Sequence, residues 1–130
     1  IVSKKPLVVL DGAHNPAGVG ALVKELKKIK RRDAARRVCN KKGLVVVLGM
    51  QNNKDIKGVV QKLSEVADSF ILTRSSHPQA AHPRHLAEYV KIPYRIIPDF
   101  SRAYRTAKAD ADIVAVTGSL FLVAEAKKIG

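Results

Sequence analysis

The chain of 130 residues is poor in sulfur and in aromatic groups, with one cysteine, one methionine, no tryptophan and 5% aromatic residues. With Cys39 alone, no intrachain disulfide can form, which fits a reducing, cytoplasmic setting. No apolar run approaches the ~20 residues that a membrane-spanning helix needs, which argues against an integral membrane protein. The basic Lys4-Lys5 pair precedes an apolar run of strand length, too short for the h-region of a signal peptide. Neither a G-x-x-x-x-G-K-S/T phosphate loop nor a G-x-G-x-x-G fingerprint is present, so a grip on nucleotide phosphates must come from elsewhere. No Ser-His-Asp or Cys-His pair stands out as a nucleophile. The chain begins at Ile1 rather than Met, which points to a processed chain or an excised part of a longer one.

Acidic residues are also scarce. Eleven Asp and Glu face 24 Lys and Arg, a net charge of +13. Much of the excess is local: Lys24, Lys27, Lys28, Lys30, Arg31, Arg32, Arg36, Arg37, Lys41 and Lys42 crowd one helix end and the loop after it. Such a field attracts phosphates, polyanionic substrates or nucleic acid. The plainer reading is a solvated helix end whose cations favour the C-terminal dipole. Aromatic residues that could stack on bases are absent from this stretch, so nucleic acid is a possible partner without a supporting motif.

What is present is regular alternation. Apolar residues make up 46% of the chain and charged ones 27%, ordinary values for one globular domain. Strand-like runs at Leu7 to Leu10, Leu44 to Leu48, Ser69 to Thr73, Tyr94 to Ile97 and Ile113 to Val116 alternate with helical patterns. Helices are expected from Pro16 to about Lys30, from about Asp55, from Pro83 to about Val90, from Asp99 or Ser101 to about Ala109, and from Ser119. The βαβα order, with strands apolar on both faces, predicts α/β architecture: a single Rossmann-like three-layer domain over 1–130, its mostly parallel sheet flanked by helices. Right-handed crossovers then bring every strand-to-helix turn to one edge of the sheet.

That edge collects the polar residues. Leu10-Asp11-Gly12-Ala13-His14-Asn15-Pro16 packs a carboxylate, a glycine and an imidazole between a strand and a helix start, where ligands bind in open α/β sheets. Asp11 could meet ribose hydroxyls or cap its own turn. His14 could contact phosphate, move a proton or bond the turn. Asn15 reads as an N-cap with Pro16 at the first helical position. Thr117-Gly118-Ser119 offers free backbone N–H groups at a helix start, or Ser119 is simply the cap. Lys54 and Asp55 put a cation beside a carboxylate on a loop. His77, His82 and His85 do not repeat a zinc spacing, so no metal site is expected.

Two of these turns together resemble a known family. Leu10 to Pro16 near the start and Val116-Thr117-Gly118-Ser119-Leu120-Phe121-Leu122-Val123 near the end resemble folylpolyglutamate synthases and dihydrofolate synthases, of the Mur ligase superfamily. Leu48-Gly49-Met50 followed by Asn53-Lys54-Asp55-Ile56 resembles a further element of that family, with Asn53 where Asp is usual. The resemblance covers the chain as a glutamate-ligase C-terminal domain only. It implies that a central ATPase domain, with the phosphate loop, the Mg²⁺ ligands and a nucleotide-holding arginine, lies in cis outside this chain. By carry-over, Asp11 and His14 bind nucleotide, His14 and Ser119 line the glutamate side, and Asn15, Lys54 and Asp55 are weaker candidates. No residue here is implied to be catalytic or to bind metal.

The implied reaction is ATP-dependent: a folate or pteroate carboxylate becomes an acyl phosphate, and L-glutamate displaces phosphate. Such a domain would close over ATP and help orient glutamate, and alone it would be inactive. The resemblance also implies a monomer. Another amino-acid ligase of the same superfamily, or a standalone basic module binding nucleotides or RNA, is the alternative.

Overall fold

The computed structural model describes residues 6–34 and 43–129. Lys4, Lys5, Arg36, Arg37, Cys39, Lys41 and Lys42 lie outside the described residues, and with them part of the basic stretch. The elements run β1 (Leu7–Asp11), α1 (Pro16–Ala34), β2 (Leu44–Leu48), α2 (Ile56–Leu63), β3 (Ser69–Arg74), α3 (Pro83–Ala87), β4 (Tyr94–Asp99), α4 (Phe100–Asp110), β5 (Ile113–Thr117) and α5 (Leu120–Ile129). All pairings are parallel, and the sheet order is β1-β5-β2-β3-β4. The expected three-layer α/β domain is therefore the observed one.

Strand alternation builds two cores. Leu44, Val46 and Leu48 of β2 point to one face with Phe70 and Leu72 of β3, where α1, α2 and α3 cover them through Leu22, Leu26, Val59, Leu63 and Leu86. Val45 and Val47 point to the other face with Ile71, Val114 and Val116, under Phe100 and Tyr104 of α4 and Leu122 of α5. Every residue of β2 and β5 is buried, as central parallel strands require. The two sets of helices follow from the sheet order. The chain steps outward from β2 to β3 to β4 with its helices on one face, then returns to β5 by way of α4 on the other.

Three boundaries differ from the sequence reading by two residues or more. α1 continues past Lys30 to Ala34, because Arg31, Arg32 and the alanine that follows Asp33 sustain a helix after its apolar stripe has ended at Ile29. α3 ends at Ala87 instead of Val90. Beyond it the backbone tightens into i→i+3 bonds, Tyr89 N to Leu86 O at 3.1 Å and Val90 N to Ala87 O at 3.1 Å. β4 runs two residues past Ile97 to Asp99 and holds Pro98, which an edge strand tolerates. Asp99, not Ser101, caps α4, accepting from Arg102 N at 3.1 Å.

Candidate functional site

Register places the carboxyl ends of three strands side by side. Asp11 of β1 stands level with Thr117 of β5, and Thr117 stands level with Leu48 of β2. α1 leaves β1 for one face of the sheet while α5 leaves β5 for the other. Adjacent strands whose helices depart to opposite faces open a crevice between them, the usual ligand site of such sheets.

The three turns are fastened to one another. The Ala13 carbonyl accepts from Gly118 N at 2.9 Å and from Thr117 Oγ1 at 3.2 Å, joining the first turn to the last. Gly118 has a φ of +100°, a region that L side chains rarely adopt, and a Cβ there would strike the Gly49 carbonyl oxygen of the turn after β2. At the starts of α1 and α2, a Cβ on Gly58 would stand 2.7 Å from Pro16 Cγ. Two helix N-termini thus sit side by side at this edge, each presenting positive partial charge.

The candidate residues divide by what they have left to give. Asp11, half-buried, accepts from Ala13 N through Oδ1 at 2.9 Å, and its second oxygen has no hydrogen-bond partner among the described residues. His14 contacts the Gly12 carbonyl through Nδ1 at 3.1 Å. A carbonyl only accepts, so Nδ1 carries a proton, and in its neutral form the ring presents Nε2 as an acceptor. Ser119 is 5% exposed and caps α5, its Oγ accepting from Phe121 N at 3.1 Å and Leu122 N at 3.4 Å. With both lone pairs directed at backbone N–H groups, its hydroxyl hydrogen is the remaining polar group.

The weaker candidates are mostly structural. Asn15 caps α1 through Oδ1 to Gly18 N at 2.8 Å, and Asp55 caps α2 through Oδ1 to Gly58 N at 2.9 Å. Lys54 adjoins Asp55 in sequence, but the structure shows no ion pair between them among the described residues. The three histidines of the β3–α3 region serve three separate purposes. His82 caps α3, accepting from Arg84 N at 3.1 Å; His85 meets Glu88 at 3.2 Å; and His77 returns to the sheet edge. Among the described residues, no group of three or more His, Cys, Asp and Glu side chains could hold a metal ion.

The sequence reading treated His77 only as one of three histidines and missed its setting. Its ring lies 4.2 Å from that of Phe121, centroid to centroid, at an interplanar angle of 38°. Its Nδ1 accepts from Gln79 N at 3.0 Å and lies 3.3 Å from Gln51 Nε2. Nothing in the spacing of residues 77 and 121 signals this contact, because it depends on β3 lying two strands from β5.

With this geometry in place, known proteins give the family. Residues 1–120 match the family described as Mur ligase, glutamate ligase domain. The chain belongs to that family. Dihydrofolate synthase/folylpolyglutamate synthase of Escherichia coli strain K12 is 29% identical over 132 residues, which cover 99% of this chain and 29% of that protein. A bifunctional folylpolyglutamate synthase/dihydrofolate synthase from Yersinia pestis, solved with AMPPNP and Mn ion, is 33% identical with a TM-score of 0.83, covering 99% of this chain and 30% of that one. Escherichia coli FolC, solved in complex with DHPP and ADP, is 26% identical with a TM-score of 0.82 over the same shares. This glutamate ligase domain thus spans just under a third of the length of these relatives. No helix among its described residues is long and apolar enough to cross a membrane.

Proposed function

We propose that this domain is the C-terminal part of an ATP-dependent ligase that adds L-glutamate to a folate or pteroate carboxylate. The observation that carries the reading is the fastening of the β1, β5 and β2 turns at one sheet edge, in a chain of the glutamate ligase domain family. The Asp11 carboxylate holds ribose hydroxyls through its open oxygen. His14 Nε2 accepts from the ammonium group of glutamate, or takes its proton as the amine becomes a nucleophile. Ser119 donates its hydroxyl hydrogen to a substrate oxyanion at the start of α5.

The substrate carboxylate attacks the γ-phosphorus of ATP and expels ADP, giving an acyl phosphate. The glutamate nitrogen then attacks the acyl carbon, and inorganic phosphate leaves. Both steps depend on positioning and on stabilising phosphoryl and carbonyl oxygens, so a domain that closes over its partner contributes by completing the site. The described residues do not form a Mg²⁺ cradle. The metal ligands and the phosphate loop are assigned to a central ATPase domain in cis, and no step here is routed through the metal. Lys54 and Asp55 remain on the same surface in supporting roles.

The test uses the full-length protein with ATP, L-glutamate and either dihydropteroate or tetrahydrofolate. ADP release that requires both glutamate and a pterin acceptor is the expected result, with the 130-residue domain alone inactive. Turnover that ignores glutamate, or that requires a non-pterin acceptor, overturns the folate assignment.

A further inference from the structure

We propose that His77 is an oxyanion-binding residue of this edge, donating from Nε2–H to a carboxylate or phosphoryl oxygen of a substrate. The choice of ligand rests on the ligase reading above; the donor itself rests on geometry. The backbone N–H of Gln79 can only donate, so His77 Nδ1 must accept, and in the neutral ring the proton lies on Nε2. The amide of Gln51 stands on the same nitrogen at 3.3 Å and reinforces that tautomer from a second turn. Nε2 has no partner among the described residues, although the side chain is half-buried. His77 and His14 are therefore opposite in kind: one is held to present a donor, the other an acceptor.

The ring is also aimed. Phe121 packs against it from the first turn of α5, the two rings tilted by 38°, and Phe121 N is bonded to Ser119 Oγ. Ser76 N donates to Glu125 Oε2 of α5 at 3.2 Å, which ties the loop to that helix, and Ser75 Oγ accepts from His77 N at 3.2 Å within the loop itself. The imidazole is fixed through Nδ1 and its face, and Nε2 has no partner among the described residues at the sheet edge where α5 begins. Of the substrates in the proposed reaction, the two that Asp11, His14 and Ser119 are read as meeting at this edge carry the matching chemistry, the carboxylates of glutamate and the phosphates of ATP.

The experiment compares wild-type, His77→Phe and His77→Gln full-length proteins. Phenylalanine keeps the ring contact and deletes both nitrogens, while glutamine restores an N–H donor of similar reach. A hydrogen bond to a charged group is worth enough that its loss should raise a KM by about 10-fold or more. A rise confined to glutamate identifies the carboxylate, and a rise confined to ATP identifies the phosphates; in either case kcat should change by less than about threefold and glutamine should recover part of the loss. If both KM values of folded His77→Phe stay within about twofold of wild type, the proposal is overturned. A second readout is independent of turnover: ¹⁵N spectra of the wild-type histidines should show His77 protonated on Nε2. Sodium phosphate or sodium glutamate should then shift that resonance saturably. Protonation on Nδ1, or no shift with either salt, overturns the site. A protein with no ligase turnover but a saturable shift would sink the ligase reading and leave the site standing.

Discussion

Thr117 Oγ1 donates to the carbonyl oxygen of Ala13 at 3.2 Å, although 104 residues separate the two. The same oxygen accepts from Gly118 N at 2.9 Å, so the first strand-to-helix turn of the chain is held by the last. Thr117 is fully buried, and the bond is made away from competing solvent. Replacement by valine keeps the β-branched shape and removes the hydroxyl. Thr117→Val should lower unfolding free energy by about 1 kcal/mol, since the backbone bond from Gly118 still satisfies the carbonyl. Urea denaturation measures this directly. A loss above about 3 kcal/mol would mean that the hydroxyl holds more than this one contact.

Gly118 is the least yielding point of the edge. Its φ of +100° and the collision of a Cβ with the Gly49 carbonyl oxygen act together, and Leu48 Cδ1 would lie at 2.7 Å as well. A backbone atom cannot move aside as a side-chain end can. Gly118→Ala should destabilise the domain by at least about 2 kcal/mol and impair any activity that depends on the α5 N-terminus. Gly12→Ala is the contrast. There the collision is with the Leu120 side chain, which is 65% exposed and free to turn away, so the cost should be smaller. Equal losses in the two variants would contradict this ranking.

Much of this edge was legible in the sequence, and the reason is local. β2 and β5 are unbroken apolar runs, and Asp11, His14 and Ser119 sit in turns whose place at the sheet edge follows from the βαβ hand alone. Asn15 and Asp55 are caps that their positions announce. What the sequence conceals is long-range register. The Ala13 junction, the packing of Gly118 on Gly49 and the contact of His77 with Phe121 all depend on β5 lying between β1 and β2. No periodicity encodes an insertion of that kind. The end of α3 was misplaced for a different reason: its apolar spacing continues through Tyr89 and Val90 while the backbone has already tightened.

Asp11 and His14 can be tested apart from the stability of the fold. Each has one atom committed to its own turn and one left over, so alanine variants remove a ligand contact at small structural cost. In the full-length protein, Asp11→Ala should raise the KM for ATP by about 10-fold or more, the effect of losing hydrogen bonds to a charged carboxylate. His14→Ala should act mainly on kcat, by about 100-fold if the imidazole moves the amine proton. Melting temperatures should stay within about 3 °C of wild type in both variants. Intact activity in the double variant would remove these residues from the mechanism.

Tyr104 supplies a test that requires no activity. Its side chain is fully buried on α4, stacked on Phe100 with ring centroids 5.5 Å apart, and Lys108 Nζ lies 4.5 Å from its ring centroid. Its hydroxyl has no hydrogen-bond partner among the described residues. Burial pushes the phenol pKa up from its ordinary 10.0. Between the unfolded and the folded pKa, the unfolded chain binds fewer protons than the folded one, so stability must fall as pH rises. The contribution of Tyr104 is therefore fully present below pH 10 and is lost above it, as pH climbs through the raised folded value. Tyr104→Phe keeps the stack and the cation contact while deleting both the orphan hydroxyl and the titration. At pH 7 the variant should equal or exceed wild type by up to about 1 kcal/mol, because a buried unsatisfied hydroxyl is costly. Above pH 10 its denaturation midpoint should decline less steeply than that of wild type. A variant clearly less stable at pH 7 would show that the hydroxyl is hydrogen-bonded in solution, and a slope above pH 10 unchanged from wild type would show that burial does not hold the phenol protonated.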